Sequence, residues 1–309
     1  VIGISAWFLL KNRDRILAKR SIVIASVFGL LSSIITIWSG DESARVVARF
    51  QPMKLVAMEG LYRGDKEAPL IAIGFFGKDD GTEHHREQFI YEFKIPMALS
   101  YLSFLDTQAF VPGIEDLVHG NKELGLEPYS AKIEKGKIAI DALAQYKIEK
   151  EKGNAAQAQE NLKIFEKNFD YFGYGYYFGK DPHLLIPNVK MSFYSFHIMV
   201  ILGSWFLLLF ILVLWKTVKG TLEKSRWLLW AMLFTIPLGY VASQSGWIVA
   251  EVGRQPWVIQ DLMPSIAAVS QIDAFSVQIT FFLFLIIFTT LLIAEIKIML
   301  SAIKKGSSH

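Results

Sequence analysis

The segment Gly246-Trp247-Ile-Val-Ala-Glu251-Val-Gly-Arg254-Gln-Pro-Trp257 sets a carboxylate and a guanidinium three residues apart, at the end of an otherwise uncharged apolar stretch and between two tryptophans. Ionisable groups at the ends of membrane helices are costly and point to function. Two readings of the pair stand open. It is a helix-end ion pair with aromatic anchors, or a buried site where Glu251 ligates a metal and Arg254 holds an anionic group, such as a haem propionate, by charge-assisted hydrogen bonds. The run Tyr194-Ser-Phe-His197-Ile-Met199-Val opens another apolar stretch. A methionine there ordinarily packs, but a thioether is also an iron ligand of the kind that raises haem potential when paired with histidine. On chemistry alone His197 is the more obvious ligand, and the sequence leaves both open. In Gln51-Pro-Met-Lys54-Leu-Val-Ala-Met-Glu59-Gly, a lysine and a glutamate stand five apart. That spacing does not share one face of a regular helix. They are loop charges in water, or parts of a site completed by other residues.

The elements that must position these groups are membrane spans. Of 309 residues, 52% are hydrophobic, gathered in runs long enough for the roughly 20 helical residues that cross a bilayer. Ser21–Gly40, Phe196–Trp215, Trp227–Ala250 and Ala274–Ala294 are free of Asp, Glu, Lys and Arg. Pro237 and Gly239 interrupt the third, as membrane helices tolerate when neighbours satisfy the freed backbone groups. The apolar stub Val1–Leu10 rises only about 15 Å, roughly half a bilayer core, and reads as the end of a further span. Its apolar-then-basic order is the reverse of a signal peptide. Lys11 to Arg20, then Lys216 to Arg226, then Lys304-Lys305 are separated by alternate crossings. They share one side, which the positive-inside rule makes cytoplasmic. The net charge of +3 is too small to suggest a nucleic-acid partner. Without cysteine, disulfides, Cys-ligated zinc and Cys-held iron–sulfur clusters are excluded, so a metal must use His, Met or carboxylate.

The fold expected is all-α: a multi-pass transmembrane bundle with a large external polar, partly helical loop. Residues 1–40 hold the end of one span, a basic loop and a full span. Residues 41–194 form the external loop, and 195–309 hold three spans. Within the loop, Ile133–Asp170 reads as polar helices joined at Lys152-Gly153-Asn154, their charges solvating a helix face. The aromatic–glycine run Tyr171–Gly179 is expected to pack at the membrane surface, where tyrosine is favoured.

These clusters, in this order, resemble subunit I of cytochrome bd-type quinol oxidases. The resemblance rests on Val1-Ile-Gly-Ile-Ser-Ala, Ala18-Lys-Arg-Ser, Gly40-Asp-Glu-Ser, Gln51 to Glu59, Ile95-Pro-Met-Ala-Leu-Ser-Tyr-Leu-Ser, Ile186-Pro, Ser195 to Met199, and above all Gly246-Trp247 to Trp257. It implies that Met199 is the axial ligand of low-spin haem b and Glu251 the ligand of high-spin haem b. Trp247, Arg254 and His197 then belong to the haem environment. Gln51, Lys54 and Glu59 belong to the quinol site of the loop, the Q-loop of this family. Electrons would pass from quinol through low-spin haem b to high-spin haem b and haem d (or a third haem b), where oxygen becomes water. His197 stands where the family commonly has Arg. The resemblance also implies partners: preceding helices of subunit I that carry further haem ligands, subunit II, a small accessory subunit, ubiquinol or menaquinol, and the bilayer. The setting implied is the bacterial inner membrane, with the Q-loop periplasmic or extracellular and the C-terminus cytoplasmic. The chain alone is expected to be inactive. The rival readings are a haem-free quinone-binding membrane anchor and a transporter, the latter suggested by the Pro237/Gly239 interruption. The absence of acidic and basic residues at mid-span counts against ion-coupled transport.

Overall fold

The structure, a computed structural model, describes residues 1–77 and 89–306. It is mostly helical, and four helices are long and apolar enough to cross a membrane: α2 (Arg15–Phe50), α8 (Val189–Val218), α9 (Arg226–Val252) and α10 (Ala274–Lys305). The chain divides into two units.

The first unit takes in Val1–Thr36, Ile201–Ala242 and Ser270–His309. Here α1 (Ile2–Leu10) and parts of α2, α8 and α9 pack through Ala6, Ile22, Leu209, Val213, Leu228 and Met232, all fully buried. The Phe210 ring lies against Gly29, where a β-carbon has no room. The basic loops come together. Arg15 pairs with Glu223, Lys19 Nζ lies 2.8 Å from the same carboxylate, and Arg13 donates to the Lys304 carbonyl at 3.2 Å. Exposed pairs of this kind add little stability, but they bring the three basic segments into contact. Helix α9 runs unbroken through Pro237. Helix α10 has no buried residue.

The second unit takes in Ile37–Val200 and Ser243–Val269. The apolar stretch of α2 ends at Gly40, yet the helix continues to Phe50. A glycine inside a helix costs only about 1 kcal/mol, and Arg45 prolongs the helix by pairing with Asp41 at 2.7 Å and Glu42 at 2.9 Å. After α3 (Pro52–Glu59) the chain forms β1 (Asp65–Lys66), β2 (Leu70–Phe76) and β3 (Phe89–Ile95), then α4 (Ala98–Phe104), β4 (Phe110–Val111) and α5 (Ile114–His119). Strand β1 pairs with β4 and β2 with β3, both antiparallel. An all-α reading passed over these strands, which are short and built from the β-branched and aromatic runs LIAIGFF and FIYEFKI.

The polar helices are α6 (Tyr129–Glu151) and α7 (Ala155–Lys167), joined at 152–154 as expected, with Gly153 at φ +78°. The aromatic–glycine run forms a 3-10 helix, Phe169–Tyr177, whose Gly175 backbone touches Gly136 of α6. The run divides, with Tyr176 and Phe178 exposed and two other tyrosines packed inside. Tyr174 and Tyr177 are buried with Tyr129 and Trp257. The Tyr174 hydroxyl donates to Asp261 at 2.6 Å, in the loop that holds β5 (Trp257–Ile259) and β6 (Met263–Pro264).

Candidate functional site

Every residue singled out for chemistry lies in the second unit. Helix α3 carries two of them. Pro52 occupies its first turn, where a missing N–H costs nothing, and Gly60 ends it in the left-handed region at φ +66°. Gly60 is doubly constrained, because a β-carbon there would stand 2.8 Å from the Phe89 ring and 3.2 Å from Phe193. Between these limits Met53, Leu55, Val56, Ala57 and Met58 are buried, and they carry Glu59 into the interior with them.

Glu59 is 4% exposed, and its Oε2 has no hydrogen-bond partner. Burial disfavours its ionised form and pushes the carboxyl up to about 8. Lys54 stands five residues earlier and about 140° around the axis at 100° per residue, so the helix aims it elsewhere. Its stem passes Gly253, where a β-carbon would stand 3.4 Å from Lys54 Cγ. Burial lowers the Lys54 ammonium pKa, Arg254 lowers it further, and Glu251 partly offsets both. The structure therefore groups Lys54 with Glu251 and Arg254. Glu59 lies on another flank of α3. Gln51, at the start of the same helix, buries its Oε1 without a partner.

At the end of α9, Arg254 Nη2 donates to Glu251 Oε2 at 2.6 Å. The pair is half-exposed, so one carboxylate edge remains outside the contact. Arg254 Nε is buried and has no partner. The loop beyond is fixed by Trp257, which is buried and meets Tyr174 edge-on at 4.9 Å between ring centroids. An interfacial anchor is one of the two readings the sequence leaves open for Trp257, and nothing in it marks Asp261; their contacts with the distant 3-10 helix leave no trace in local spacing. Trp247 is 63% exposed, unlike Trp257.

On α8 the two ligand candidates part. His197 Nδ1 lies 2.9 Å from the Phe193 carbonyl and Nε2 lies 2.5 Å from the Ile71 carbonyl. Both ring nitrogens thus face backbone carbonyls. Met199 is partly buried, and its Sδ lies 3.0 Å from where a β-carbon on Gly246 would stand. The thioether thus packs directly on the glycine backbone.

The family described as cytochrome bd terminal oxidase subunit I matches residues 1–307. The chain belongs to that family. It is 32% identical to the cytochrome bd-II ubiquinol oxidase subunit 1 of Escherichia coli (strain K12) and 29% identical to the cytochrome bd ubiquinol oxidase subunit 1 of Bacillus subtilis (strain 168), aligned over 100% of its length in each case. It spans 59% and 53% of those two relatives. Its fold matches the structure of bd oxidase from Geobacillus thermodenitrificans with a TM-score of 0.67 at 21% identity, over 99% of this chain and 54% of that one. With four membrane-length helices and this family, the chain is a membrane protein.

The donor set of this subunit I chain suits iron held in a macrocycle. Among the described residues, no three His, Asp or Glu side chains gather to cage an ion. A porphyrin asks the protein for only one or two axial donors. Met199 on the Gly246 backbone and the open edge of Glu251 are donors of that kind, and the orphaned Arg254 Nε is a ready partner for an anionic substituent.

Proposed function

We propose that this chain forms part of the haem-bearing subunit of a terminal respiratory oxidase that oxidises quinol on the outer face of the bacterial inner membrane and reduces oxygen to water. The observation that carries the reading is Glu59: a carboxyl group buried without a partner for Oε2, with its pKa about 8, on a helix tied into the core of a cytochrome bd subunit I chain. Quinol gives up two protons as it is oxidised, and a group that titrates near the working pH is suited to take one. Gln51 supplies a second unpartnered acceptor at the start of the same helix. Lys54, whose charge burial disfavours, is suited to hydrogen-bond or polarise a quinol oxygen.

Met199 would hold low-spin haem b and Glu251 high-spin haem b, with Arg254 neutralising a propionate and Trp247 and His197 in the surroundings. Bound haem supplies one-electron transfer and the reduction of oxygen, with haem d or a third haem b at the oxygen site. The chain's own residues do the rest. They bind and orient quinol, take one of its protons at Glu59 and keep Arg254 against Glu251. With the basic loops cytoplasmic, residues 54, 59, 199 and 251 fall on the outer side. Quinol protons then leave there, while those for water come from the cytoplasm, which separates charge without a pumping stroke. The assembly includes further helices of subunit I, subunit II and a small accessory subunit, with ubiquinol or menaquinol as donor.

The test is Glu59→Gln in the assembled oxidase. Quinol-driven turnover falls while oxygen reduction by an artificial electron donor survives. Equal loss with both donors removes the proton-accepting role.

A further inference from the structure

Helix α4 is built inside out for a helix facing water. Its serines turn inward. Ser100 Oγ accepts from Ala68 N–H at 2.8 Å and donates to the Ala109 carbonyl at 2.7 Å, while Ser100 and Ser103 are buried. Its apolar side chains divide: Leu99 is buried, whereas Tyr101 is 50% exposed and Leu105, just past its end, 56% exposed. The strand leading into it continues the surface. Ile90, Tyr91, Phe93 and Ile95 of β3 are all exposed, on both faces of a two-stranded sheet. Broken on β3 only by the Glu92–Lys94 ion pair, so much exposed apolar surface is rare on monomeric soluble proteins.

Two independent sets of contacts fix the level of this surface. The first is the register of the hairpin on α8. Phe76 N–H donates to the Tyr194 hydroxyl, and the Ile71 carbonyl meets His197, one turn further along α8. Leu70 pairs with Ile95 and Ile71 with Lys94, so β3 delivers α4 at the His197 end. Phe196, its neighbour, opens the apolar stretch of α8. The second set is the buried face of α4. Leu99 packs in one cluster with Phe196 and with Val249, which lies at the end of the apolar stretch of α9. Both sets put α4 level with the last turns of two spans.

We infer that α4 and the adjoining end of β3 lie in the outer boundary layer of the bilayer, with Tyr101, Leu102 and Leu105 against lipid. The composition suits that layer, since tyrosines favour the headgroup level and short amphipathic helices lie in its plane with their apolar face toward the acyl chains. On α8, Ile198 and Val200, next to His197 and Met199, are also exposed. The opposite face of α4 shares its cluster with Leu55 and Met58 of α3, so the helix that carries Lys54 and Glu59 is braced from the lipid side. This inference rests on the membrane fold and not on quinol chemistry.

The chain has no cysteine, so a spin label at one introduced thiol is unique within it. The assembled oxidase in lipid nanodiscs is labelled at Tyr101→Cys and, in a second variant, at Leu105→Cys, with Ile148→Cys on the polar helix α6 as the reference. Collision rates with dissolved oxygen and with a water-soluble nickel chelate are read from power saturation. At both test sites the oxygen-to-nickel ratio is expected to be several-fold above that at position 148. A ratio equal to the reference overturns the inference in favour of water. Exclusion of both reagents overturns it in favour of a covering protein chain.

Discussion

The sulfur of Met199 lies over Gly246, 3.0 Å from the point a β-carbon there would occupy, so at that level only the Met199 side chain lies between α8 and the α9 backbone. A valine at 246 would drive the thioether off its position. In the assembled oxidase, Gly246→Val should lose most of the low-spin haem signal in reduced-minus-oxidised spectra. Gly246→Ala, which asks the sulfur to give by a few tenths of an ångström, should keep the signal at a lower midpoint potential, because a thioether ligand raises it. A wild-type spectrum and potential in both variants would remove Met199 from the iron.

Direct removal of the donors separates the two sites. Met199→Leu should abolish the low-spin signal alone, and Glu251→Ala the high-spin signal alone. Identical losses in the two variants would mean a general failure of assembly and no ligand assignment.

Lys54 and Glu59 face different surroundings, so their variants should differ in kind. Glu59→Gln should lower quinol kcat by on the order of 100-fold, the usual worth of a positioned proton acceptor. Lys54→Met should act mainly on KM, raising it about tenfold, since one hydrogen bond to a charged group contributes about 1.5–3 kcal/mol. Stopped-flow quinol oxidation reads both.

The raised Glu59 carboxyl also makes stability depend on pH. The unfolded chain ionises this group near 4.5, whereas the folded chain holds its proton up to about 8. Between those values the folded state binds the extra proton, so stability falls as pH rises through the window and levels off above it. Glu59→Gln removes this contribution. Thermal unfolding of the assembled oxidase should show the variant gaining on wild type from pH 5 to pH 8 (about 3 pH units). A constant difference across that range would contradict the buried, protonated state.

Gly60→Ala puts a β-carbon into the left-handed region and against Phe89. The backbone cost alone is about 1–2 kcal/mol. Lower thermal stability of the oxidase should accompany weaker quinol binding, because the end of α3 sets where Glu59 points.

The spans were legible because a bilayer imposes one length and one composition, and the basic loops because charge alternates with each crossing. The α6–α7 turn was legible from Lys152-Gly153-Asn154. What escaped was decided at long range. Tyr171–Gly179 has the composition of a membrane-surface patch, but Gly136, on α6, admits its backbone and Asp261 captures Tyr174. The five-residue spacing of Lys54 and Glu59 told that they part company on a helix. It gave no sign that Lys54 would settle beside Gly253. On chemistry alone His197 was the more obvious ligand and the resemblance favoured Met199; the Phe193 and Ile71 carbonyls that face the imidazole lie outside what local spacing shows.

Helix α3 is only eight residues long, held by proline at one end and a left-handed glycine at the other. So short a rod has no slack to absorb a push locally; it tilts or slides whole. Lys54 and Glu59 are therefore the arms of a single lever, one reaching toward Glu251 and the other into the core. Energies measured at one arm will not add simply to those at the other, and a double-mutant cycle across Lys54 and Glu59 would read the stiffness of the beam that joins them.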